Sequence, residues 1–265
     1  MLQRQAAVDL IVRHQPIRGA HQSMPLSRIT GFDLPVGFDV AAYDRVNDQA
    51  VLIANPNDTT APWKQNSWFG YASAWNGLAI RLRSAVEYDA EFGRLIAPST
   101  APGQEERYNQ ERALFGCIAS ALSAIECFYM ATYCLAAVLS PSHFPLQKDK
   151  HLVRSPCKVA KAHLAWLPAD SFPQLLWQIA HSSALAELAD LRNALAHRGV
   201  LPRRHFFSNV VDMPSAVPSN PKALAGNFYY SASLSDATTS IHTRWLCQIA
   251  SQLVAEFNRF LARCT

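Results

Sequence analysis

Between Ala113 and Leu139 the chain runs for 27 residues with a single charge, Glu126. A helix of that length spans about 40 Å. Such a run becomes either a membrane span or a helix surrounded by others on most sides. Glu126 decides between them, because it stands at the midpoint, where a carboxylate costs most in a bilayer. The run is therefore expected to be the central helix of a bundle, with no membrane partner. The chain has 265 residues, 49% of them apolar and 17% charged. That is enough to bury a sizeable core and too apolar for wholesale disorder. The N-terminal stretch breaks every apolar run with Arg4, Asp9 or Arg13, so no secretory signal is expected. The six cysteines contain no CxxC and no disulfide framework. Reduced thiols and a cytoplasmic location follow as expectations.

Helical period begins late. Residues 1–60 show none, and Phe38 to Tyr43 and Val51 to Ala54 read as short strands around a turn at Asn47-Asp48. From Trp63 onward, Trp68, Tyr71, Ala72, Trp75, Leu78, Ala79, Leu82 and Val86 recur at three- and four-residue steps, which predicts an amphipathic helix stopped by Pro98. A second long helix is expected over about 104–139. Ser155-Pro156 reads as an N-cap followed by proline at the first helical position, and Pro168 halts that short helix. Asp170 or Ser171 caps the next, which carries Leu176, Ile179, Ala184, Leu188, Leu191 and Leu195 and ends at Gly199. Phe206 to Val211 and Phe228 to Leu234 are expected to pair as a hairpin. The last helix starts near Asp236 with a stripe of Ile241, Trp245, Ile249, Leu253, Phe257 and Phe260. The expected fold is all-α, a bundle of about five helices. It has an irregular segment over 1–60 and a small hairpin-like insertion at about 200–236, inside a helical domain over 61–265.

The net charge of +4 is local. Residues 148–161 carry five basic side chains and one acid, and residues 192–205 carry four basic side chains and no acid. Each segment is +4, so the rest of the chain is −4. A local basic patch suits a phosphate-bearing partner, and two separate solvated loops explain it equally well.

Motifs for common chemistries are absent. The chain has no P-loop, GxGxxG, GxSxG or HExxH, and no paired-cysteine zinc spacing, so neither cofactor nor metal is expected. One helix end does stand out, Leu188-Ala-Asp-Leu-Arg-Asn-Ala-Leu-Ala-His-Arg-Gly199. Asn193 and His197 are four apart and share a face. Arg192 is five residues before His197, about 140° round a regular helix, so the two meet only if the helix end distorts. A second copy related by a twofold axis would bring Arg and His together across an interface. The helix dipole favours protonated His197 and moves its titration toward neutrality, as general acid–base work requires. Arg192 or Arg198 would hold a phosphate and stabilise charge on pentavalent phosphorus. Such a site cleaves RNA without a metal by driving the 2′-OH onto the adjacent phosphate. On residue chemistry alone an alternative stands beside this one. Arg192 and Asn193 satisfy carbonyls and pair with Glu126, and His197 and Arg198 cap a helix terminus.

Arg-Asn-Ala-Leu-Ala-His at 192–197 resembles the Arg-X4-6-His motif of the HEPN family, the higher eukaryotes and prokaryotes nucleotide-binding domains. The helix around Ala124-Ile-Glu-Cys-Phe-Tyr129 resembles the family's second major helix. The likeness covers residues 65–200 and the last helix. It implies a HEPN-like helical bundle and a homodimer. It also implies a metal-independent endoribonuclease of the toxin or phage-defence kind, with RNA or a nucleotide as ligand and an antitoxin protein as a further partner. In that frame Arg192, Asn193 and His197 are catalytic, and Glu126 and Arg198 support them. Glu126 would hold Arg192 through a buried charge-assisted hydrogen bond. Lys148, Lys150, Arg203 and Arg204 guide the RNA. Family members that only bind nucleotides or partners give the alternative, a non-catalytic HEPN-like module. A plain helical interaction protein is the third reading.

Overall fold

A computed structural model describes residues 24–29, 32–56, 62–96, 103–146, 154–197 and 237–264. The expected hairpin of Phe206 to Val211 with Phe228 to Leu234 lies outside them. Within the described residues the chain is all-helical, with a short 3-10 turn at Leu26–Arg28, seven α-helices and no strand. We number them α1 (Val40–Ala54), α2 (Pro62–Ile96), α3 (Gln104–Leu139), α4 (Pro156–Trp166), α5 (Ser171–Ala180), α6 (Ser183–His197) and α7 (Ala237–Leu261).

The strands expected around Asn47-Asp48 are instead α1. Tyr43, Val46, Asn47, Ala50 and Ala54 are all buried, and their three- and four-residue steps are those of one helix face. Asp39 caps α1, its carboxylate accepting from the Ala42 N–H at 2.8 Å. Asn55 ends it in the left-handed region at φ 40°, a conformation Asn tolerates better than most residues. The single helix expected from Asp170 to Gly199 is two. His181 and Ser182 break it, and Ser182 restarts it, its Oγ accepting from the Leu185 N–H at 3.2 Å.

Among the described residues, α2 and α3 form the most extensive helix–helix interface. A Cβ built on Gly70 would fall 2.7 Å from Cys134 Sγ, on Gly77 2.9 Å from Cys127 Sγ, and on Gly116 2.7 Å from the Tyr88 ring. Moving seven and then eleven residues up α2 moves the partner seven and then eleven down α3. The two therefore run antiparallel in one fixed register, with close approach bought by small side chains. Gly93, also within α2, has open space where its Cβ would go. Gly93→Ala should therefore stabilise the protein by about 0.5–1 kcal/mol through helix propensity. Gly116→Ala should destabilise it, because displacing a ring costs about 1–3 kcal/mol and outweighs that gain. Urea denaturation of the two variants checks the register, and equal gains would refute it.

The core is aromatic. Trp75 of α2 stacks on Tyr43 of α1 at 4.7 Å and meets Phe128 of α3 and Phe257 of α7. Phe172 of α5 stacks on Phe257 and Phe260, each at 5.0 Å. Tyr129 of α3 donates to the Leu176 carbonyl at 2.6 Å, tying α5 down. α3 is long and apolar enough to cross a bilayer by length and composition, and most of that stretch is buried against the other helices. In α7 the expected stripe holds at Leu253, Phe257 and Phe260 but not at its start, where Ile241 is 57% exposed. Thr239 and Thr243 take the inner positions instead. Thr239 donates to the Asp89 carboxylate, and Thr243 Oγ1 lies 3.4 Å from Cys117 Sγ. A polar seam therefore joins α2, α3 and α7 where an apolar stripe was expected.

Candidate functional site

α6 brings the candidate residues to the surface of α3. Leu185 and Leu188 are buried, and Leu191 and Leu195, further along, are only half-buried. The inner face therefore opens toward the C-terminal end. Arg192 sits half-buried on this opening stretch, and Asn193 beside it is exposed. The backbone of His197 closes α6. Its side chain, together with Arg198, Lys148, Lys150, Arg203 and Arg204, lies outside the described residues.

Glu126 is not the buried carboxylate that its place in an apolar run suggests. It stands on the exposed side of α3, because a central helix can still keep one narrow stripe open between its neighbours. Among the described residues no hydrogen bond or ion pair joins it to Arg192, so the expected buried bond is absent. The two are still electrostatic neighbours. Partial desolvation pushes the Glu126 carboxyl above its ordinary range, and the positive charge of Arg192 pulls it back. The Nε of Arg192 is buried without a hydrogen-bond partner. Burying an unpaired polar group is costly, so packing holds this edge of the guanidinium against its preference for water.

The arrangement thus brings Arg192 and Glu126 together and leaves Asn193 on the neighbouring surface position. One guanidinium fixed along an inner edge can bind a phosphate or carboxylate. It cannot by itself move a proton near neutral pH. Among the described residues no three His, Cys, Asp or Glu side chains cluster as a metal site requires.

Other polar groups have no local sequence signal. Arg154 lays its Cζ 4.8 Å from the Tyr133 ring centroid, and its Nε too is buried and unpartnered. His163 is fully buried, and among the described residues neither ring nitrogen has a partner. His242 of α7 is held below its ordinary range by burial, opposed by the charge of Glu187 on α6. Each of these depends on contacts between helices distant in sequence, which spacing along the chain does not encode. Compared with protein-family models, with curated proteins and with solved structures, the chain matches none.

Proposed function

We propose that the chain is a metal-independent endoribonuclease of the HEPN type, working at a site shared between two copies. The observation that carries the reading is Arg192. It lies on the last turns of a helix whose inner face opens, and its Nε edge is held by packing while no carboxylate among the described residues is bonded to it. The motif of Arg192, Asn193 and His197 supplies the chemistry. His197 moves the proton between the attacking 2′-OH and the departing 5′ oxygen. Arg192 stabilises the charge gathering on phosphorus. Asn193 positions the phosphate or ribose, Glu126 biases Arg192 through its charge, and Arg198 assists. Positions 192 and 197 are about 140° apart round a regular helix, so in this reading the pair is completed by the second copy. Lys148, Lys150, Arg203 and Arg204 lead the strand in. The setting in this reading is cytoplasmic, as a toxin or phage-defence effector under the control of an antitoxin protein.

The test is RNA cleavage with a chelator present. Cleavage should persist, the products should carry a 2′,3′-cyclic phosphate, and His197→Ala should lower the rate by about 10²–10⁴-fold. Cleavage that requires a divalent metal, or that His197→Ala leaves unchanged, would overturn the mechanism. The sealed Nε of Arg192 also favours a second reading, a HEPN-like module that binds a nucleotide or partner without chemistry. Phosphate binding needs the fixed guanidinium alone. RNA binding that depends on Arg192 without any cleavage would establish that reading instead.

A further inference from the structure

Two arginines lie over one face of α3. Glu126 and Tyr133 are seven residues apart, two turns, and so project from the same side about 10 Å apart along the axis. Arg192 belongs to α6, which packs on α3, and its charge acts on Glu126. Arg154 comes from just ahead of α4 and covers the Tyr133 ring. Among the described residues these are the two arginines whose Nε is buried and unpartnered. Among the described residues no hydrogen bond engages their Nη ends, and neither Nη is among the buried, unpartnered atoms.

Five of the described arginines are neutralised by acids. Arg28, Arg83, Arg112, Arg259 and Arg263 each reach a carboxylate. Arg154 has no carboxylate within ion-pair distance among the described residues. Its ring contact immobilises the guanidinium plane, so little further freedom is lost when an anion binds. The positive end of α4 adds to the same field. Ser155 makes no side-chain cap there, and the first turn carries no acid. A guanidinium fixed on a ring, with no carboxylate bound to it among the described residues, matches a phosphate.

We propose that Arg154 and Arg192 form a two-point cradle for neighbouring phosphate groups, one guanidinium beside the exposed Glu126 position of α3 and the other covering the buried Tyr133 ring. The cradle deepens the RNA-cleaving reading and rests on it for the identity of the ligand, a single RNA strand. Free polyphosphate shares the chemistry and is the other source to separate. Glu126 sits at the Arg192 end and weakens an anion there, so the Arg154 end carries the test.

The full chain is titrated with a labelled 12-nucleotide oligouridine at several salt concentrations, and separately melted with and without tripolyphosphate. The variants are Arg154→Gln and Arg154→Lys. Arg154→Gln should weaken RNA binding about tenfold, the loss of one charge-assisted contact. It should also flatten the salt dependence by about 0.7 in slope. Arg154→Lys should keep the slope and lose part of the affinity, because the point charge remains and the stacked fork does not. Since Arg154 covers Tyr133, each variant is compared with its own unliganded melting curve. If Arg154→Gln fails to fold, Arg154→Lys decides by its loss of affinity at constant slope. RNA binding that neither variant changes overturns the cradle and leaves the RNA-cleaving reading standing. A tripolyphosphate shift that depends on Arg154 without RNA binding upholds the cradle and removes that reading. Binding of neither probe overturns both.

Discussion

Lowering the pH from 7 to 5 should cost the protein about 2 kcal/mol of stability through His163 alone. The imidazole is fully buried on α4. Phe144 lies 4.7 Å from it, Phe172 5.7 Å and Trp166 6.4 Å. Neither ring nitrogen has a hydrogen-bond partner among the described residues. Burial lowers the His163 pKa to about 3, and no charged group among the described residues opposes it. An unfolded histidine titrates near 6.5. Below that pH the unfolded chain takes up a proton that the folded chain refuses until about pH 3. Stability therefore falls steadily between the two values and levels off beneath them. His163→Leu keeps a similar volume and removes both unpartnered nitrogens. At pH 7 it should be neutral or about 1 kcal/mol more stable than the parent. Its advantage should widen by about 2 kcal/mol by pH 5. Denaturant unfolding of both proteins across that range is the measurement. Parallel curves would mean that water or an unseen partner reaches the ring.

His163 also marks the limit of what the sequence reveals. The ends of α2, α3, α4 and α7 were legible because proline, serine and the edges of apolar runs act locally. Ser155-Pro156 and the stop at Ser140 are of this kind. In α1 only Tyr43, Val46, Ala50 and Ala54 stand at three- and four-residue steps, too few to register as a helical period against the turn signal of Asn47-Asp48. Burial of Asn47 within the helix, which no spacing announces, resolves the conflict. The break at His181-Ser182 had a signal, a serine three residues before Leu185, obscured by the continuing apolar period. At the candidate site, Arg192 and Asn193 were legible as a motif at a helix end. That Glu126 faces outward and that Arg154 stands over Tyr133 were not, because both follow from which side of α3 the other helices leave open. The two threonines inside α7 were likewise invisible, since their inward position depends on Asp89 and Cys117 arriving from other helices.

Phe172→Ala should cost about 3–5 kcal/mol, the range for emptying a fully enclosed phenyl site. Phe172 is fully buried. It touches three other helices at once: Phe128 on α3, His163 on α4, and Phe257 and Phe260 on α7. The surroundings cannot readily collapse to fill the gap, because α5 is pinned on several sides. Asp170 caps it at the Phe172 N–H and also holds Arg263, and Ser171 donates to Glu256. A second consequence separates this cavity from any other. Removing the ring opens space beside His163, where water can solvate the protonated imidazole and raise its pKa toward the ordinary value. Phe172→Ala should therefore lose stability at pH 7 and yet lose less than the parent when the pH falls to 5. Phe92→Ala empties another fully buried phenyl site, on α2, with no ring contact to His163. It should cost a similar amount and retain the full pH dependence. Unfolding curves of the three proteins at pH 7 and pH 5 compare them directly. A pH dependence left intact in Phe172→Ala would show that this ring is not what keeps His163 dry, and the cause of its depressed pKa would lie with Phe144 and Trp166.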